Sequence, residues 1–183
     1  MFGRFYHHLI PINRNNLMKH LTAVVVALML SVGAAKAQGI TVELGPKVGF
    51  DVAGDIEELF VGADARFRTS LPVVLNAAFD YYFTESELTV WQLGLNALYE
   101  FGIDNEVFTP YAGAGLGITR FSVDIDTPIG DFNSSSTEAG INLIGGARME
   151  MGTVGLFGQA QLTFGDPDII GLAAGVLFSL GGN

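Results

Sequence analysis

Ile40-Thr41-Val42-Glu43-Leu44-Gly45-Pro46-Lys47-Val48-Gly49-Phe50-Asp51 alternates one residue at a time. One parity reads Ile, Val, Leu, Pro, Val, Phe. The other reads Thr, Glu, Gly, Lys, Gly, Asp. Successive side chains of a strand point to opposite faces, so this segment has one apolar face and one small or polar face.

The pattern returns at 58–68, 73–83, 89–101, 109–122, 137–150, 154–164 and 169–180. Each segment is close to the length of about ten residues that a tilted strand needs to cross a bilayer. Between them lie short runs with turn chemistry: Arg68-Thr69-Ser70-Leu71-Pro72, Gly102-Ile103-Asp104-Asn105-Glu106, Met151-Gly152-Thr153 and Gly165-Asp166-Pro167-Asp168. The longest connection expected is Val123 to Ser136. Pro46 falls mid-strand, where it removes a ladder donor, so a bulge or local break is expected there.

Alternation does not say which face is inside, because a soluble barrel turns its apolar face inward. Three features favour the inverted arrangement. Glycines sit almost wholly on the polar parity (Gly45, Gly49, Gly62, Gly94, Gly113, Gly115, Gly117, Gly140, Gly146, Gly171, Gly175), as the crowded concave side of a narrow barrel requires. Aromatic residues of the apolar parity fall near strand ends: Phe50, Phe67, Tyr81, Phe83, Trp91, Tyr99, Phe164 and Phe178. Those are positions for two interfacial girdles. The polar parity also carries charges of both signs: Glu43, Lys47, Asp64, Arg66, Arg68, Asp80, Glu100, Arg148 and Glu150. A hairpin centred on 55–56 would set Lys47 opposite Asp64 and Glu43 opposite Arg68. Arg148 is expected near Tyr111, Glu100 and Glu150. Paired charges suit a closed interior, where an unpaired one is costly. The expected fold is all-β, an eight-stranded antiparallel up-and-down transmembrane β-barrel whose interior is filled by an ion-pair network.

Charge divides the chain. Residues 1–37 hold Arg4, Arg14, Lys19 and Lys36 and no acid. Residues 38–183 hold five bases against nineteen acids, a net of −14. That excess excludes a nucleic-acid partner, which needs basic patches. Met18-Lys19-His20 opens a basic segment, Leu21 to Ala35 is apolar, and Ala35-Lys36-Ala37 is a small-x-small cleavage signal before Gln38. The expected organisation is therefore an N-terminal extension plus cleavable signal peptide over 1–37, with Met18 as the true start, and an outer barrel domain over 38–183.

Asn96-Ala97-Leu98-Tyr99-Glu100-Phe101, a turn, and Thr109-Pro110-Tyr111-Ala112-Gly113-Ala114-Gly115-Leu116-Gly117 carry a resemblance. They resemble the OmpA/OmpX-like outer membrane β-barrel family, in which a Pro-Tyr-x-Gly-x-Gly-x-Gly strand follows a periplasmic turn. The last strand, Gly175-Val176-Leu177-Phe178-Ser179-Leu180, is similar to the family's assembly signal, although Gly181-Gly182-Asn183 follow where members usually end on the aromatic. The resemblance implies an outer-membrane location, periplasmic termini, and contact with outer membrane lipids, lipopolysaccharide and the barrel-assembly machinery, as a monomer. It places residues 52–57, 84–88, 123–136 and 165–168 outside the cell.

Those outer segments are acidic: Asp51, Asp55, Glu57, Glu58, Glu85, Glu87, Asp124, Asp126, Asp131, Asp166 and Asp168, with no Lys or Arg among them. A solvated rim is the expectation rather than a metal site, since no stretch has calcium-loop spacing. Cysteine is absent, and all three histidines (His7, His8, His20) precede Gln38. Ser134-Ser135-Ser136-Thr137 offers hydroxyls without a base. No catalytic residue, cofactor or metal is expected. The function expected is non-enzymatic, a structural or surface-interaction role. The alternative is a narrow channel or transporter for small or apolar solutes, of the OmpW type.

Overall fold

A computed structural model describes residues 40–84, 88–103, 107–127 and 130–180. The signal-peptide and start-site expectations fall on 1–39, outside the described residues. Eight strands follow one another: β1 Thr41–Gly54, β2 Leu59–Arg68, β3 Val74–Tyr82, β4 Leu88–Glu100, β5 Phe108–Thr127, β6 Gly130–Met151, β7 Val154–Gly165 and β8 Ile169–Leu180. Each pairs antiparallel with the next, and β8 pairs with β1 to close the barrel. Closure satisfies backbone donors and acceptors within the wall, the condition for strands that cross a hydrocarbon layer.

The inversion is visible in exposure. Leu95 is 66 % and Leu116 64 % exposed, whereas Asp64, Arg66 and Asn142 are fully buried. An aqueous protein has the opposite arrangement. A continuous outward apolar band of this extent belongs in lipid. Aromatics mark its two borders. Phe50, Tyr81, Phe83, Trp91 and Phe164 lie toward the β1–β2 turn, the far end. Phe67, Tyr99, Phe101, Phe108 and Phe178 lie toward the chain termini, the terminal end. Tyr81 meets Phe83 edge-on at 6.0 Å, and Tyr99 meets Phe101 edge-on at 5.2 Å.

Two details correct the sequence reading and one narrows it. First, the β1–β2 register lies two residues from the one expected: Lys47 stands opposite Gly62 and Glu43 opposite Arg66. The last rung is Asp51 N–H to Glu58 O at 3.0 Å, and Gly54 and Glu57 take positive φ (135° and 53°) in the six-residue turn it closes. Secondly, of the two outcomes expected at Pro46 the structure has the local break and not the bulge. Toward β8 the ladder skips Gly45 and Pro46 yet keeps its register, with Leu44 opposite Phe178 and Lys47 opposite Gly175. The irregularity sits between Asp51 and Ala53 instead. Thirdly, Val123 to Ser136 is largely not a loop. β5 and β6 stay paired out to Thr127 and Gly130. Their outer neighbours stop earlier, at the Leu88–Val123 and Gly140–Gly165 rungs, so the two strands continue as a ribbon.

Candidate functional site: a lumen filled in layers

The polar parity converges on the axis and stacks in layers. At the terminal end, β1, β2, β4 and β6 contribute Glu43, Arg68, Glu100, Arg148 and Glu150. Arg148 donates to both Glu43 oxygens at 2.8 and 3.0 Å and approaches Glu150 Oε1 at 2.9 Å. Arg68 donates to Glu100 Oε2 at 2.6 Å and through Nε to Glu43 Oε2 at 3.2 Å. Three carboxylates thus share two guanidiniums. Glu43 does reach Arg68, but diagonally, because Arg66 takes the opposing position.

Next comes Arg66, side chain wholly buried, with Nε donating to Asp64 Oδ1 at 3.0 Å. Its guanidinium carbon lies 4.7 Å from the Tyr111 ring centre and 4.6 Å from that of Phe157. Arg66 Nη2 also donates to the Tyr111 hydroxyl at 3.0 Å, which donates to Gln159 Oε1 at 2.9 Å. Tyr111 is therefore engaged by Arg66, while Arg148 pairs with Glu100 and Glu150, two of the neighbours expected for it. Delocalised charge is weakly hydrated and stacks on aromatic faces, so Arg suits this site where Lys would not.

A transverse chain of amides follows. Asn76 donates to Asp64 Oδ1 at 2.9 Å, Asn96 to Asn76 Oδ1 at 2.8 Å, and Asn142 to Asn96 Oδ1 at 3.0 Å. The Thr163 hydroxyl donates to Asn142 Oδ1 at 2.9 Å, and Gln161 donates to Gln92 Oε1 at 3.0 Å. An amide presents donor and acceptor together, so a row of them can satisfy itself across a narrow space without net charge. Beyond it Lys47 donates to Asp80 Oδ2 at 2.9 Å; the partner lies on β3, not at Asp64 as the expected register required. A cavity of about 10 Å³ lined by Lys47, Asp80, Tyr82 and Gln161 has room for about one water. Phe60, Tyr82 and Val90, packed with Ile56, Leu88 and Phe121, form an apolar lid at the far end.

All nine charges named from the sequence thus face the lumen and sit in ion pairs, split among three layers. The amides and Phe157 escaped that reading because charge was used to select residues. They share the same parity, and that signal would have found them.

Three of the acidic residues at the far end, Asp51, Asp55 and Asp168, hold backbone. Asp51, buried, accepts from Glu57 N and Ile170 N, both at 3.0 Å. Asp55 accepts from Asp168 N at 3.0 Å, and Asp168 from Gly165 N at 3.1 Å. Glu85 and Glu87, and the side chains of Asp124, Asp126 and Asp131, lie outside the described residues. Among the described residues no group of three or more Asp, Glu, His or Cys side chains is placed to hold a metal ion. Millimolar calcium is therefore expected to leave the thermal midpoint of the refolded barrel unchanged. A clear rise in midpoint on calcium titration would contradict this.

The sequence profile of the outer membrane protein beta-barrel domain matches residues 22–165. Among solved structures, Neisserial surface protein A is similar at 18 % identity and a TM-score of 0.62, covering 78 % of this chain and 97 % of its own. Ail, the attachment invasion locus protein of Yersinia pestis, is 14 % identical at a TM-score of 0.56 (77 % and 97 % covered). The N-terminal β-barrel domain of Pseudomonas aeruginosa OprF is 18 % identical at 0.53 (75 % and 97 %). At these identities the likeness speaks for the fold. No curated protein matches the sequence.

Proposed function

The chain belongs to the outer membrane protein β-barrel family, and we propose that it works there as a non-enzymatic, closed barrel whose activity lies at its outward surface. The observation that carries this is the lumen. Charged pairs, an amide row and an apolar lid follow one another along the axis, and an eight-stranded barrel is only wide enough for side chains to fill it. In this reading the terminal end faces the periplasm, and the far end with its acidic turns and the β5–β6 ribbon faces outward. Outer membrane lipids and lipopolysaccharide surround a monomer inserted by the barrel-assembly machinery.

Planar-bilayer conductance of the refolded protein tests the reading. No discrete openings are expected from the native sequence. Arg148→Ala is also expected to stay silent, because the Asp64–Arg66 pair, the amide row and the lid lie beyond the layer it opens. Steady unitary steps from the native barrel would restore the channel alternative.

A further inference from the structure

The far mouth contains a depression of about 360 Å³, within the usual range for small-molecule sites. Its apolar floor and wall are Val90, fully buried, with Leu88, Phe121 and Ile56, and its rim carries the carboxylates of Asp55 and Glu58. We infer that this vestibule is a binding site for a small organic ammonium ion with an apolar body. The inference deepens the outward-surface role proposed above by naming a ligand class.

Shape and charge argue for that class together. An apolar floor under a negative rim is complementary to a molecule with a hydrophobic body and one cationic end. Nearby cations do not neutralise the rim. Lys47 lies below the lid, paired with Asp80 at 2.9 Å, and Arg120 donates to Ser135 Oγ at 3.2 Å. The turns 52–58 and 165–168 carry acids and no base. Asp51, buried beneath, adds negative charge satisfied by backbone N–H groups rather than by a cation. A neutral ligand of the same shape gains the floor but not the rim. An anion meets repulsion. A fully hydrophilic cation gains the rim but leaves the floor wet.

The rim is also pre-organised. Asp55 accepts from Asp168 N and donates its own N–H to Asp168 O, both at 3.0 Å, which ties the first and last outer turns together. The Thr84 hydroxyl donates to Leu88 O on the opposite wall. Little ordering is then left for the ligand to impose.

The test uses the full barrel, isotope-labelled and refolded in phospholipid nanodiscs, titrated with phenethylammonium and separately with phenethyl alcohol. Saturable amide shifts centred on Ile56, Val90 and Phe121 are expected with the ammonium ion, and affinity about tenfold weaker for the alcohol. Asp55→Asn/Glu58→Gln keeps the acceptor for Asp168 N while removing both charges. It is expected to bring the ammonium down to the affinity of the alcohol. Equal affinity of the two compounds in the native barrel would overturn the inference. So would shifts confined to lipid-facing residues such as Leu95 and Leu116, or no saturation at all. Conductance is read separately, so failure here leaves the closed-barrel reading standing, and a conducting barrel leaves this one standing.

Discussion

A barrel carrying Arg66→Met is expected to lose about 3–5 kcal/mol of unfolding free energy, the usual cost of stranding one member of a buried ion pair. The mutation removes the cation from a place water does not reach. Asp64, fully buried, would keep a single donor, Asn76 Nδ2 at 2.9 Å. The Tyr111 hydroxyl would lose a donor, and two aromatic rings would lose the guanidinium between them. The double variant Asp64→Asn/Arg66→Met should recover most of the loss, to within about 1.5 kcal/mol of the native barrel. It deletes both charges and keeps an acceptor for Asn76. The native pair is itself incompletely satisfied, since Asp64 Oδ2 and Arg66 Nη1 have no hydrogen-bond partner, so removing both members forfeits little. Urea unfolding in phospholipid vesicles, followed through the single tryptophan Trp91 in the far girdle, measures all three proteins. A single variant within about 1 kcal/mol of the native barrel would mean that solvent reaches the site, contrary to a filled lumen.

That experiment also probes how far sequence reaches. The alternation in 40–51 was enough to place Glu43, Lys47 and Asp51 inside and Leu44, Val48 and Phe50 outside, because strand geometry leaves two faces and the glycines choose between them. It could not place Lys47 opposite its partner. Register depends on the turn, and this turn closes at Asp51–Glu58 through a buried carboxylate that accepts Glu57 N. A displacement of two residues preserves every face and changes every cross-strand partner. The same limit hid the ribbon. Ser134-Ser135-Ser136-Thr137 reads as a polar loop because neither of its faces is apolar, yet it pairs in register with Val123 to Arg120. Pro46 was legible for the opposite reason, because a missing donor is a local property. Its missing donor leaves a gap in the ladder toward β8, and the rungs on either side suffice to hold alignment without an inserted residue. Face assignment is local and legible; partner choice is collective and is not.

Two glycines separate the two faces in a single measurement. Gly45→Ala is expected to destabilise the barrel by about 2–3 kcal/mol, a large overpacking penalty, or to prevent closure. Its added methyl would fall inside the van der Waals sphere of the Val176 carbonyl oxygen and press on Leu177 Cα. Those atoms are backbone of β8, so no side-chain rotation relieves the clash. The site lies on the β1–β8 seam, where the ladder already skips two residues. Gly145 sits between Ala112 and Ala160 on neighbouring strands, and a methyl there meets no atom within 4 Å. Gly145→Ala should therefore be neutral or stabilising by about 0.4–1 kcal/mol, through the reduced freedom of the unfolded chain. The readout is the urea midpoint in vesicles together with the heat-modifiable mobility that distinguishes closed from open barrels on gels. If the two variants behave alike, glycine on the polar parity reflects composition rather than crowding, and the inference from glycine placement to an inward polar face loses its physical basis. If they diverge as expected, the concave face is the one that rejects added volume, and at the β1–β8 seam what rejects it is backbone. An eight-stranded cylinder closes there only because its first strand lets its last strand approach.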